Sequence, residues 1–180
     1  MGPVYTVGHG SQSCEAFLAG LKSAGVGTVV DVRRFPASRR HPHFSADALD
    51  AVLARAGIRY RWLRELGGRR RDEAPDPATV AGWAVAGFRH YAAYMQTPEF
   101  WAALSVLEAW AAQDPVAVLC SERLWWRCHR RLIADALVVR GWTVIHLGAG
   151  LAAPHVLTPW AVAEGGRLYY PGPTKPAPTS

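Results

Sequence analysis

Lysine is almost missing from this chain: only Lys22 and Lys175 occur among its 20 basic residues. Its positive charge is therefore carried by arginine, whose planar fork matches phosphate oxygens and base edges better than an ammonium does. Cysteine is scarce as well, and three, an odd number, do not make a disulfide framework. A charged-then-apolar leader is lacking, as is any apolar run approaching the ~20 residues a membrane span needs. The expectation is a cytoplasmic protein with reduced thiols and no membrane partner. There is no internal repeat and no glycine-rich nucleotide loop, so no organic cofactor is expected.

What is present is a basic, half-hydrophobic chain of 180 residues with a formal net charge of +6 and a pI near 9.7. That length fits one domain able to bury about two thirds of its unfolded surface. The charge favours anionic polymers, DNA first among them, through an attraction that fades as salt rises. An arginine-rich, lysine-poor composition also arises from a GC-rich genome, so charge alone does not decide the matter.

Three junctions share one grammar. Ala24-Gly25-Val26, Ala56-Gly57-Ile58 and Arg140-Gly141-Trp142 each close a helical pattern at glycine and open an apolar run, as a helix C-cap feeding a strand does. The pattern predicts strands over Val4–Val7, Thr28–Val32, Ile58–Leu63, Val116–Leu119 and Trp142–Leu147, and helices over Cys14–Ala24, Ala46–Ala56 and Trp125–Val139. Asp76-Pro77 and Thr97-Pro98-Glu99 place capping side chains before prolines and predict a helical insertion. The fold class is thus α/β: a single-domain, three-layer, Rossmann-like fold over residues 1–170 with a mainly parallel central sheet. Residues 171–180, rich in Pro, Thr and Ser, read as a flexible tail. Nothing demands an oligomer, and a monomer is favoured.

In such a sheet the strands' carboxyl ends share one edge, and the polar residues just past them become neighbours. Asp31 ends an apolar strand and reads as a carboxylate presented to the crevice, with an Arg33-paired structural aspartate as the alternative. Glu122 is the reserve carboxylate. Cys120 and Cys128 admit three readings: a thiolate nucleophile at Cys120 activated by His129 or Arg130, a metal pair with His129, or small buried hydrophobes. Adjacent residues on a helix point about 100° apart, which argues against Cys128 and His129 holding one ion with Cys120, and no metal is expected. His9, between two glycines, can approach a ligand closely. Arg34, Arg39 and Arg40, and then Arg69, Arg70 and Arg71, form two basic loops. With Phe35, Phe44 and Trp62 nearby, these loops can grip a phosphate backbone and stack on a base. Trp83, Trp101 and Trp110 fall on helical patterns and read as packing residues.

Thr6-Val7-Gly8-His9, Asp31-Val32-Arg33 with Pro36 and Ser38-Arg39-Arg40, Glu65-Leu66-Gly67-Gly68, Phe88-Arg89 with Tyr91 and Tyr94-Met95, and Cys120-x-Glu122 with Cys128-His129-Arg130 together resemble the domain-of-unknown-function 488 family. The blocks run from Val4 to about Tyr170. Gly10 stands where the family usually has serine, and Trp125-Trp126 precede the Cys-His-Arg block. The resemblance implies a small cytosolic α/β protein and, for some members, removal of 5-hydroxymethyluracil from DNA by a monofunctional glycosylase.

The expected function is accordingly a DNA glycosylase that turns a modified pyrimidine out of the stack and hydrolyses its N-glycosidic bond without a cofactor. Asp31 or Glu122 is the catalytic carboxylate in this reading. His9, Arg33, Phe44, Cys120, Trp126, His129 and Arg130 contact the base or its phosphate. Two competitors stand beside it: a Cys120-dependent phosphoester or thiol-transfer enzyme, and a nucleic-acid-binding module without catalysis.

Overall fold

The computed structural model of the protein describes residues 2–71, 76–148 and 152–172. Five short strands pair in parallel: β1 (Val4–Gly8), β2 (Thr28–Asp31), β3 (Arg59–Trp62), β4 (Val116–Cys120) and β5 (Val144–Leu147). A sixth strand, β6 (Ala152–Pro154), closes one edge antiparallel to β5, and the order across the sheet is β3-β2-β4-β1-β5-β6. The central strand β4 is buried at all five positions. That is the environment its β-branched run requires, because parallel strands are covered on both faces.

The period-two alternation of those strands sorts the core into two layers. Val29, Ala117 and Leu119 pack with Phe17 and Leu21 of α1 (Cys14–Ser23) and with Leu49 and Leu53 of α2 (Ala46–Arg55). Val30, Val116 and Val118 face the other way. They share a core with α4 (Ala86–Tyr94) and α5 (Pro98–Ala111), which follow the short α3 (Pro77–Val80), and with Leu132 and Ile133 of α6 (Arg130–Val139). The architecture is therefore the expected three-layer α/β arrangement, with α3 to α5 as the helical insertion.

The punctuation of the sequence explains the element ends. Gly25, Gly57 and Gly141 all adopt the left-handed backbone, at φ of 68°, 74° and 89°, which glycine reaches without a Cβ clash. Asp76 and Thr97 accept hydrogen bonds from the Ala78 and Phe100 amides and start α3 and α5. Trp83 is buried, and Trp101 and Trp110 pack against the same core.

Two expectations change. The helix expected over Trp125–Val139 is broken: Trp125–Arg127 forms a 3₁₀ turn, Cys128 is extended at φ −123° and ψ 149°, and α6 starts only at Arg130. The chain also does not end its regular structure at Leu147. Beyond β6 lies a hairpin of β7 (Val162–Glu164) and β8 (Arg167–Tyr169), turned by Gly165-Gly166 with φ of 57° and 75°, a signal that was legible in the sequence. Of the expected tail, residues 173–180 lie outside the described residues.

Chain direction decides where a ligand can enter. β1 leads into α1 on one face of the sheet, whereas its neighbour β4 leads through the 3₁₀ turn into α6 on the other. Adjacent strands whose connections diverge leave a crevice at their carboxyl ends.

Candidate functional site

A crevice of about 1020 Å³ opens at that switch point, between the turns after β1, β2 and β4. Gly8 makes its floor possible. A Cβ there would overlap the Glu122 carbonyl oxygen and lie 2.8 Å from the Arg123 Cα, so only glycine lets the loop after β4 close against β1. The His9 and Gly10 amides then donate to the Cys120 and Ser121 carbonyls, extending the ladder beyond the strands.

Asp31 does not reach this crevice. It is fully buried and its carboxylate accepts from the Arg33 backbone amide (3.0 Å), from Arg33 Nε (2.9 Å) and Nη2 (2.5 Å), and from the Tyr60 hydroxyl (2.7 Å). Burial, and then the adjacent carboxylate, pushes the Tyr60 phenol above its ordinary range, so it remains a donor to Asp31. The expected catalytic role is corrected: Asp31 is the Arg33-paired aspartate and acts by positioning that arginine. Arg33 does line the crevice, although it is 5% exposed, and its Nη1 also donates to the Phe44 carbonyl.

Two further expectations fail on burial. Phe44 is a core residue, stacked on His9 at 4.3 Å and edge-on to Phe17, and cannot meet a base. Arg130 is 1% exposed. Its Nη2 donates to the Glu122 carbonyl and its Nε to Cys128 Sγ (3.3 Å), so it braces the loop rather than binding phosphate. The remaining expected contacts divide. His9, Cys120, Trp126, His129, Arg34, Arg39, Arg40 and Arg69 line the crevice, and Arg70 and Arg71 do not. Arg70 is spent on the Gly67 and Glu65 carbonyls and lies over the Tyr94 ring at 3.7 Å.

Arg127 and Phe35 line the crevice as well, the latter one of the loop aromatics expected to stack on a base. Phe35 is 60% exposed and Trp126 48%, and both face the opening. Trp62 is also exposed, but its Nε1 donates to the Arg33 carbonyl and it stands outside the crevice. Among the described lining residues Glu122 is the sole carboxylate, set against the six guanidinium groups of Arg33, Arg34, Arg39, Arg40, Arg69 and Arg127. One of its oxygens accepts from the Leu124 amide at 3.0 Å, which holds the side chain in place.

The cysteines also differ from expectation. Hydrogen bonding from Cys128, with burial, pushes the Cys120 thiol up to about 12. Although burial opposes it, hydrogen bonding from Cys120 and the Arg130 guanidinium bring Cys128 down to about 6. Because Cys128 is extended rather than helical, the angular argument against its sharing a ligand with His129 does not apply.

The family model described as Domain of unknown function DUF488 matches residues 13–137, more than half of the chain. The chain belongs to the DUF488 family. No curated protein and no solved structure matches it. The DUF488 match holds every crevice loop except the one after β1 and stops inside α6.

Beyond the DUF488 match lies most of a second buried polar system, which no sequence signal announced. The Thr6 hydroxyl meets His146 Nδ1 at 2.6 Å, His146 Nε2 meets His155 Nδ1 at 2.9 Å, and His155 Nε2 meets an Asp135 carboxylate oxygen at 2.8 Å. Tyr170 and the Thr158 amide donate to the same carboxylate. A single direction of donation, from Thr6 to Asp135, satisfies every ring nitrogen with both imidazoles neutral.

Burial lowers His9 from 6.5 to about 4 and His146 from 6.5 to about 3, the latter helped by the neighbouring His155. Below about pH 6.5 the unfolded chain therefore binds more protons than the folded one. Stability rises with pH across that window and is lost as pH falls. Going from pH 7 to pH 5 is expected to cost about 1 to 2 kcal/mol for each histidine, discounted for partial solvent access. Thermal melts across this range check it, and a midpoint that stays flat refutes it.

Proposed function

We propose that this crevice receives a base turned out of a DNA strand and that the protein is a glycosylase hydrolysing the N-glycosidic bond of a modified pyrimidine of the 5-hydroxymethyluracil kind. The carrying observation is the charge pattern, a carboxylate at Glu122 that is alone among the described lining residues and faces six arginines, with exposed Phe35 and Trp126 at the rim. Arginines at a rim hold the phosphates on either side of an extruded nucleotide, and exposed aromatic rings replace its lost stacking partners. Glu122 positions water and stabilises the oxocarbenium-like sugar through the oxygen that does not cap Leu124. His9 and Arg33 face the base oxygens from the floor. Three free cysteines suit the reducing cytoplasm, where we place this activity. Among the described residues no helix is long and apolar enough to cross a membrane.

The test is direct. Duplexes carrying uracil, 5-hydroxymethyluracil and other modified pyrimidines are incubated with the protein, and abasic sites are revealed by alkaline cleavage. Glu122→Gln is expected to lower the rate by about 10²- to 10⁴-fold while leaving DNA binding intact. If every duplex survives while salt-sensitive binding persists, catalysis is disproved and the binding-module reading replaces it.

A further inference from the structure

The two sulfurs and one imidazole at the back of the crevice form a group that base excision does not use. Cys120 Sγ, Cys128 Sγ and a ring nitrogen of His129 all lie within 4.8 Å of one another. Cys128 Sγ and His129 Nδ1 are 3.6 Å apart. With Zn–S near 2.3 Å and Zn–N near 2.0 Å, a tetrahedral ion sets its ligand atoms about 3.5 to 3.8 Å apart. One pair therefore already has the required span, and the others, at no more than 4.8 Å, need to close by at most about 1.3 Å. We propose that Cys120, Cys128 and His129 bind one soft divalent cation of the zinc class, with its fourth position open to the crevice.

The surroundings of the three groups support this. His129 Nε2 lies 3.2 Å from the Val32 carbonyl, which can only accept, so the proton is on Nε2 and the Nδ1 lone pair faces the sulfurs. Fixing a ligand histidine through its far nitrogen is the usual outer support of a metal centre. Gly68 leaves room for the ring: a Cβ there would lie 2.8 Å from Nδ1, 3.1 Å from Cγ and 3.2 Å from Cε1. Such even spacing puts it over the ring face, leaving the in-plane lone pair clear. Arg130 Nε donates to Cys128 Sγ at 3.3 Å, which stabilises the sulfur as thiolate. The extended backbone of Cys128 turns its side chain back towards β4, where Cys120 ends the strand. All three groups line the crevice, so an ion held there keeps the open position of a catalytic-type site rather than the closed shell of a structural one. Binding releases to solvent whatever protons the two thiols still carry.

The inference is independent of base excision and is tested without DNA. Reduced protein stripped by a chelator is titrated with Co²⁺. The expected result is a thiolate-to-cobalt charge-transfer band in the near ultraviolet that saturates at one equivalent and is displaced by Zn²⁺. Cys120→Ser and Cys128→Ser should each cut the band to about half and weaken binding at least about tenfold, and His129→Ala should weaken it comparably. His43→Ala, outside the cluster, should leave it unchanged. A second measurement uses the unaltered chain in case a variant fails to fold. Zn²⁺ should protect Cys120 and Cys128 from alkylation in mass spectra while Cys14, half-buried in α1, reacts to the same extent with and without metal. No band, a band indifferent to Cys128→Ser, or equal alkylation with and without Zn²⁺ overturns the proposal. A protein that excises bases but binds no cobalt loses only the metal site, and one that binds cobalt but spares every duplex loses only the excision.

Discussion

Arg33→Ala is expected to lower the unfolding free energy by about 3–5 kcal/mol, because it strands the Asp31 carboxylate in a fully buried site with only the Tyr60 hydroxyl and one backbone amide as donors. The guanidinium now supplies three side-chain contacts to that carboxylate at 2.5 to 3.0 Å and a further bond to the Phe44 carbonyl. Water cannot replace them at a position with no exposure. Asp31→Asn leaves the Arg33 cation unpaired in turn, but should cost less than the arginine truncation, since the space stays filled and the guanidinium keeps the Phe44 carbonyl and the amide oxygen as acceptors. The double variant Asp31→Asn, Arg33→Met should recover part of the loss, because replacing both partners avoids the unpaired charge. Urea unfolding gives the values, with an unchanged m showing that the variants differ in stability rather than compactness. A loss under 1 kcal/mol for Arg33→Ala would show that the pair is not the anchor of this loop. The comparison also separates the two roles considered for Asp31. If it only positions Arg33, a folded Asp31→Asn protein keeps base excision within a few-fold, whereas Glu122→Gln does not.

The α/β frame was legible because its signals are local. A helical pattern closed by Gly25, Gly57 or Gly141 and followed by an apolar run leaves few alternatives, and Asp76-Pro77 and Thr97-Pro98 fix two helix starts. The crevice was legible at the level of which loops meet, since parallel topology alone brings the ends of β1, β2 and β4 together. What did not show was which way each polar group turns. Asp31 at a strand end looks exposed to the crevice until Arg33, two residues on, folds back over it. Phe44 looks like a loop aromatic until the turn at Pro42–Phe44 drives it under His9. Cys128 looks helical until the 3₁₀ turn at Trp125–Arg127 shifts the helix start by several residues. Each miss is a side-chain direction set by a contact distant in space, which periodicity does not encode. The β7–β8 hairpin is a different case: Gly165-Gly166 between short β-prone runs announced it.

Asp135→Ala is expected to release the carboxy-terminal part of the chain while the central sheet stays folded. One carboxylate on α6 satisfies His155, the Thr158 amide and the Tyr170 hydroxyl, three buried donors spread over the segment that runs from β6 into and beyond the hairpin. Each donor left unmet costs roughly 1–3 kcal/mol, so the loss should exceed about 3 kcal/mol and fall on that segment first. Hydrogen exchange should show residues 155–170 losing protection, with β2 and β4 retaining theirs. The consequence extends to the crevice because Trp125 stacks on His146 at 3.9 Å, nearly parallel, and is packed edge-on against Trp126. Freeing the histidine pair removes the support behind Trp125, and with it the fixed position of Trp126 at the crevice rim. Base excision should therefore weaken mainly through a higher KM, since Arg33 sits on another loop and Glu122, although on the same loop as Trp125, keeps its bond from the Leu124 amide and the Arg130 bond to its carbonyl. Unchanged protection over 155–170, or a fall in kcat alone, would show that the buried polar chain serves neither to anchor this segment nor to hold the rim.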